Sequence, residues 1–269
     1  MSLPTWLAGG QTVAELLIWP ALIAYGEAAF AYAGELRGPG LAGRLGIWGV
    51  RVGWLAQSAL LVVQVIDTEG FPWGTWAGAL NLFVWLVVGA YLIWGCRPRY
   101  RLLGLAVMPL AVVLLVAAWA GGGTGVTARD EPGALLAIHV GLMLAGFAGL
   151  TLAAGMAALY LWQERRLKRR DSRLFRLRVP PLDSLDRLSA RTTLVSFAVL
   201  TVGIVVGLTR FQHGDFDAAM VVTLGIWAAA ATGLVLRRET GLRGRRFAVL
   251  LVTVLGLVAV VLPLTHFAS

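Results

Sequence analysis

ALLAIHVGLMLAGFAGLTLAAGMAALYLW, residues 134–162, contains no Asp, Glu, Lys or Arg. A helix of about 20 apolar residues crosses ~30 Å of hydrocarbon at ~1.5 Å per residue. This run is longer than that, so it predicts a membrane helix that projects past the bilayer. His139 interrupts it, and the chain holds only 3 histidines. What that imidazole is there to hold becomes the functional question.

The rest of the chain has the same character. It is 269 residues long, 58% hydrophobic and only 14% charged, whereas a soluble domain carries roughly a quarter charged residues. Its charges sit between apolar blocks, which place spans at about 12–33, 46–66, 76–95, 102–120, 134–162, 190–210, 217–236 and 247–266. Barrel strands would be alternating stretches of ~10 residues, and none is present. The expected fold is an all-α integral membrane protein, a bundle of about eight transmembrane helices forming a single polytopic domain over 1–269. No basic residue precedes Arg37, so the first span is expected to stay attached as a helix rather than to be cut as a signal peptide.

The net charge of +9 records topology. Arg37 and Arg44 follow span 1, Arg97, Arg99 and Arg101 follow span 3, QERRLKRRDSRLFRLR follows span 5 and RRETGLRGRR follows span 7. The alternate loops, IDTEGFPWG, GGGTGVTARDEPG and FQHGDFD, are acidic or nearly neutral. The positive-inside rule then puts both termini outside and the basic loops in the cytoplasm, in the multi-pass plasma membrane of a prokaryote. Nucleic acid is not an expected partner. Membrane lipid is, because basic loops meet anionic headgroups. Cys96 stands alone, which excludes an internal disulfide and a Cys-x-x-Cys-His haem-attachment motif.

The longest interruption is the basic cytoplasmic loop at about 163–189. Its first half can extend span 5 as a solvated helix until Pro180 and Pro181 stop it. LDSLDRLSAR, with leucines at 182, 185 and 188, has the pattern of an amphipathic helix lying on the membrane surface. Within span 5, Ala137, Gly141, Ala145, Gly149, Ala153 and Ala157 recur every four residues, a spacing that lets a neighbouring helix approach closely. His139, about 200° from Ala137, should face away from that stripe. Gly146 shares the face of His139 and would leave room there for something flat.

By this topology His139 lies about 8 Å along its helix from the outer end. His266 ends span 8 on the same side, and His213 sits in an outer loop. A lone interfacial histidine can simply bond across helices, and that reading serves for His213. His139 and His266 lie on apolar helices at matching depth, and burying an unpaired imidazole is costly. Two imidazoles across a gap can supply both axial ligands of a haem iron. Zinc, wanting three or four ligands, would have to recruit His213, Asp215 or Asp217. Arg129 and Arg210, the outer arginines, can pair with haem propionates; alternatively they pair locally, Arg129 with Asp130 or Glu131 and Arg210 with Asp215 or Asp217. Of the other ionisable residues in spans, Glu15, Glu27 and Arg51, the last two are candidates for a structural pair. Trp73 and Trp76 are placed as interface anchors.

Taken together these stretches resemble the cytochrome c assembly family of CcsA/HemX type. ARTTLVSFAVLTVGIVVGLTR (190–210), GFPWGTWAGALNLFVW (70–85), LLAIHVGLMLAGFAGL (135–150) and the terminal LPLTH (262–266) fall in the family's order, covering most of the chain beyond about residue 60. The resemblance implies that His139 and His266 are axial ligands of a non-covalent haem b. Synthase members carry a tryptophan-rich WWD segment between these histidines. Here that stretch is FQHGDFDAAMVVTLGIW, where Asp217 can stand for the family aspartate but the tryptophans before it are missing. The chain is therefore more similar to HemX-like members, associated with haem biosynthesis and its regulation, and a haem lyase activity is disfavoured. No nucleophile–base pair or phosphate-binding loop points to an enzyme. The implied partners are haem and, through the basic loop, a cytochrome c assembly protein or a cytoplasmic haem-biosynthesis enzyme. The alternatives are a haem-delivery subunit of a cytochrome c synthase and a small-molecule transporter.

Overall fold

In hydrocarbon every backbone N–H and C=O must be satisfied within the chain, and an apolar run achieves this by coiling into a helix. The structure, a computed structural model, describes residues 13–35, 41–67, 72–95, 100, 103–124, 133–170, 180–208 and 218–267, without the side chains of 35, 67, 72, 94–95, 218–219 and 257–267. Among the described residues are the helices α1 (Val13–Glu35), α2 (Leu41–Asp67), α3 (Trp76–Gly95), α4 (Gly104–Ala120), α5 (Ala134–Lys168), α6 (Leu182–Leu208), α7 (Ala218–Glu239) and α8 (Arg245–Phe267), with one 3-10 turn at Pro72–Gly74 and no strand. Six of these, α1, α2, α3, α5, α6 and α7, are long and apolar enough to cross a membrane, while α4 is shorter at 17 residues. The helices match the expected spans one for one, and the protein is an all-α membrane bundle.

α5 is the hub. It packs against α3, α4, α6 and α8, while α1 packs against α2 and α4. The largest core joins α1 to α4 with residues such as Leu152 and Met156 of α5 and Leu185 of α6. Smaller cores join α5 to α8 around Ala153, Ala157 and Phe247, and α5 and α6 to α7 around Leu150, Leu200 and Ile226.

Two polar devices lock this bundle. In the first, the Tyr25 hydroxyl donates to Gln57 Oε1 at 2.8 Å. Gln57 Nε2 donates to Asn81 Oδ1 at 2.8 Å and to its carbonyl at 3.0 Å. Asn81 Nδ2 donates to Gln64 Oε1 at 3.4 Å, and Gln64 Nε2 to the Gly123 carbonyl at 2.8 Å. All four side chains are fully buried, at 0% exposure. Each amide left unpartnered in such surroundings would cost ~1–3 kcal/mol, so the ladder holds α1, α2, α3 and the turn after α4 in one register. The second device is at the basic end. Arg237 of α7 grips Asp186 of α6 through both nitrogens, at 3.0 and 2.6 Å. The Gly244 amide donates to the same carboxylate at 2.8 Å, and the Arg237 guanidinium lies 4.9 Å over the Phe247 ring of α8.

Three sequence expectations are corrected here. LDSLDRLSAR is not a separate surface helix: it is the first part of α6, which runs unbroken from Leu182. Pro181 precedes that helix, where its missing N–H costs nothing, and its carbonyl accepts from the amides of Ser184 and Leu185. Leu185 is 1% exposed and Leu188 packs half-buried against the same core, so this part of the stripe is covered by protein. The basic extension of span 5 is helical only as far as Lys168. Arg169 caps it, and Arg170 turns to a φ of 51°.

The small-residue stripe is the third correction. Four residues turn a helix about 400°, so a four-residue repeat drifts by about 40° each step and by about 200° from Ala137 to Ala157. It therefore serves no single neighbour. A Cβ at Gly141 would meet nothing within 4 Å, Gly149 is filled by Ser196 of α6, and Ala153 and Ala157 pack with α8.

Candidate functional site

The first turns of α5 carry the histidine. Leu135 and Ile138 of this end are exposed, while His139 is half-buried against the last turns of α6. Its Nδ1 lies 2.7 Å from the Gly203 carbonyl oxygen. A carbonyl can only accept, so Nδ1 carries the proton, and Nε2 is the ring nitrogen that can present a lone pair. Gly207, one turn further along α6, provides the flat wall behind the ring. A Cβ there would stand 2.6 Å from His139 Cε1 and 2.8 Å from Nδ1.

His139, expected to face away from the small-residue stripe toward a different neighbour or a cavity, meets a neighbour, α6. The signal was in the partner helix: GIVVG, residues 203–207, is the G-x-x-x-G spacing that brings membrane helices together. Gly146 does not leave a flat space. Leu200 fills it, and a Cβ at Gly146 would lie 2.4 Å from the Leu200 Cγ. On another face of α6, Trp227 of α7 donates its indole N–H to Thr201 Oγ1 at 2.9 Å and stacks on Phe197 with ring centroids 5.4 Å apart.

Of the other expected site residues, His266 falls within α8, with its side chain outside the described residues. Arg129, Arg210, His213, Asp215 and Asp217 also lie outside them. Among the described residues no group of three or more His, Cys, Asp or Glu side chains could hold a metal ion. Arg51 stacks 5.2 Å over Trp48, and Glu27 is exposed. Trp76 is exposed and leans on Gly121 at the end of α4. Trp73 lines an apolar hollow of about 330 Å³ between α2 and α3, with Ser58, Leu61, Leu82 and Trp85. Sequence reading passed over the Trp54–Trp85 stack beside it, whose centroids are 5.1 Å apart, with Trp85 donating to Ser58 Oγ at 2.7 Å.

No solved structure matches the chain. Among curated proteins it is similar to Protein HemX of Brevibacillus brevis, 30% identical over 158 residues that make up 58% of each chain. It is also similar to Inner membrane protein YpjD of Escherichia coli (strain K12), 32% identical over 142 residues, 51% of each chain. The chain thus spans little more than half the length of either relative. The family described as Cytochrome C assembly protein matches residues 73–268. That range takes in His139, the GIVVG wall and every helix from α3 to α8, and the chain belongs to that family.

Proposed function

We propose that this multi-pass membrane protein handles haem in the manner of the HemX-like members, holding haem b non-covalently at the end of the bundle where α5 begins. In this reading His139 and His266 would hold its iron, and Arg129 and Arg210 would meet the propionates. The observation that carries the proposal is the anchored tautomer of His139. An imidazole that donates from Nδ1 to a backbone carbonyl presents Nε2 as a basic, oriented donor, the arrangement that iron-ligating histidines take. The donor chemistry thus fits the group. Bound there, haem would supply a redox-active iron, while the chain's own part is to orient the imidazole through Gly203 and to restrict the ring with Gly207. The prokaryotic plasma membrane is the proposed location, and the basic end is the proposed contact for a cytochrome c assembly protein or a haem-biosynthesis enzyme.

Visible absorption of the purified protein, oxidised and reduced, tests this directly. A sharp low-spin Soret and alpha band should appear and be weakened by His139→Ala and by His266→Ala separately. If added haem gives no specific spectrum, or if both variants keep the parent bands, the histidines are structural and the proposal fails.

A further inference from the structure

We propose that the seam between α4 and α5 at the basic end binds one acyl chain of an anionic phospholipid, whose phosphate is met by Arg166. α4 and α5 are consecutive helices, yet they meet far less than either meets α3. A hollow of about 250 Å³ separates them, walled by Leu103, Ala106, Gly155, Leu159 and Trp162 among others. A second, of about 130 Å³, shares Ala106, Gly155 and Ala158 with the first and reaches Val87 of α3 and Leu255 of α8. Their walls are almost wholly apolar, and their arrangement is that of a slot running inward along one helix seam.

A slot of this kind facing hydrocarbon takes a hydrocarbon chain. What gives it a headgroup preference is at its mouth. Trp162 lines the wider hollow, and the Arg166 guanidinium stands 5.3 Å over its ring, one helical turn on. Stacking holds the guanidinium flat at the rim, where its planar donors suit a phosphate; α5 ends just past it at Lys168, which pairs with Glu164 at 2.8 Å, and Arg169 caps the helix. Cations next to a membrane surface favour lipids of net negative charge. A partner protein's helix is the competing occupant, since small residues such as Gly155 and Ala158 also admit one; the cationic rim is what favours the lipid.

The test is native mass spectrometry of the full chain extracted from vesicles of equal phosphatidylglycerol and phosphatidylethanolamine. One phosphatidylglycerol should be retained over phosphatidylethanolamine by about fivefold. A Cβ at Gly155 would meet only Leu103 Cδ1, at 3.8 Å, so Gly155→Leu grows into the slot and should abolish retention. Arg166→Gln should keep a lipid but lose the preference. Equal retention of both lipids by the parent chain overturns the proposal, as does retention undiminished in Gly155→Leu or a preference unchanged in Arg166→Gln. Should Gly155→Leu not fold, Arg166→Gln decides alone, since it alters only the rim. A dimer that buries the seam would also overturn it.

Discussion

Gly207 governs the pose of His139, and the dependence can be measured. In Gly207→Ala the new methyl would stand 2.6 Å from His139 Cε1, so the ring must swing off and lose its bond to the Gly203 carbonyl. The structural cost is about 1 kcal/mol, the net worth of such a bond. The functional cost is larger: removing the orientation of a ligating imidazole weakens metal binding by about tenfold or more. Haem titration followed at the Soret band should therefore show a clear loss of affinity while thermal unfolding moves by only a few degrees. Unchanged affinity would mean that Gly203 and Gly207 do not orient a ligand. His139 was legible in the sequence because a polar side chain in an apolar run announces itself. Its partners were not, because a backbone carbonyl and a bare glycine acquire their roles only from the helix opposite. The same blindness hid Gln57, Gln64 and Asn81: each amide is unremarkable alone, and the ladder exists only once α1, α2 and α3 are side by side.

The helices were legible as elements because ~20 apolar residues leave the backbone no other solution, whereas their faces and joins were not. A four-residue repeat looks like one stripe on paper and winds to the far side of the rod over five steps. LDSLDRLSAR has the composition of a surface helix, yet Asp186 is drawn inward by Arg237 and Leu185 by the core. That clamp should set the stability of the α6–α7–α8 end. Asp186→Ala leaves the Arg237 side chain, 16% exposed, without its carboxylate and the Gly244 amide without its acceptor. Removing one partner of a buried pair costs about 3 kcal/mol, so the variant should melt several degrees below the parent. Asp186→Asn, which keeps an acceptor, should recover part of the loss. A melting temperature for Asp186→Ala equal to the parent's would show that the clamp carries no stability.

At the scale of the whole molecule, the alternation of basic and non-basic loops makes an orientation testable. In a Cys96→Ser background, a cysteine at Ala134 should react with a membrane-impermeant maleimide in intact cells, and one at Arg169 only after permeabilisation. Labelling in the reverse order would put the histidine end in the cytoplasm and move the proposed haem site to the inner face. Both positions belong to α5, which is 35 residues of continuous helix without a proline, about 53 Å from end to end. His139 and Arg165 are thus held about 39 Å apart along one axis. A rod of that kind has no joint at which one end can move independently of the other. A force applied at the arginine end would reach the imidazole as tilt or rotation, geared by the leverage of the whole shaft.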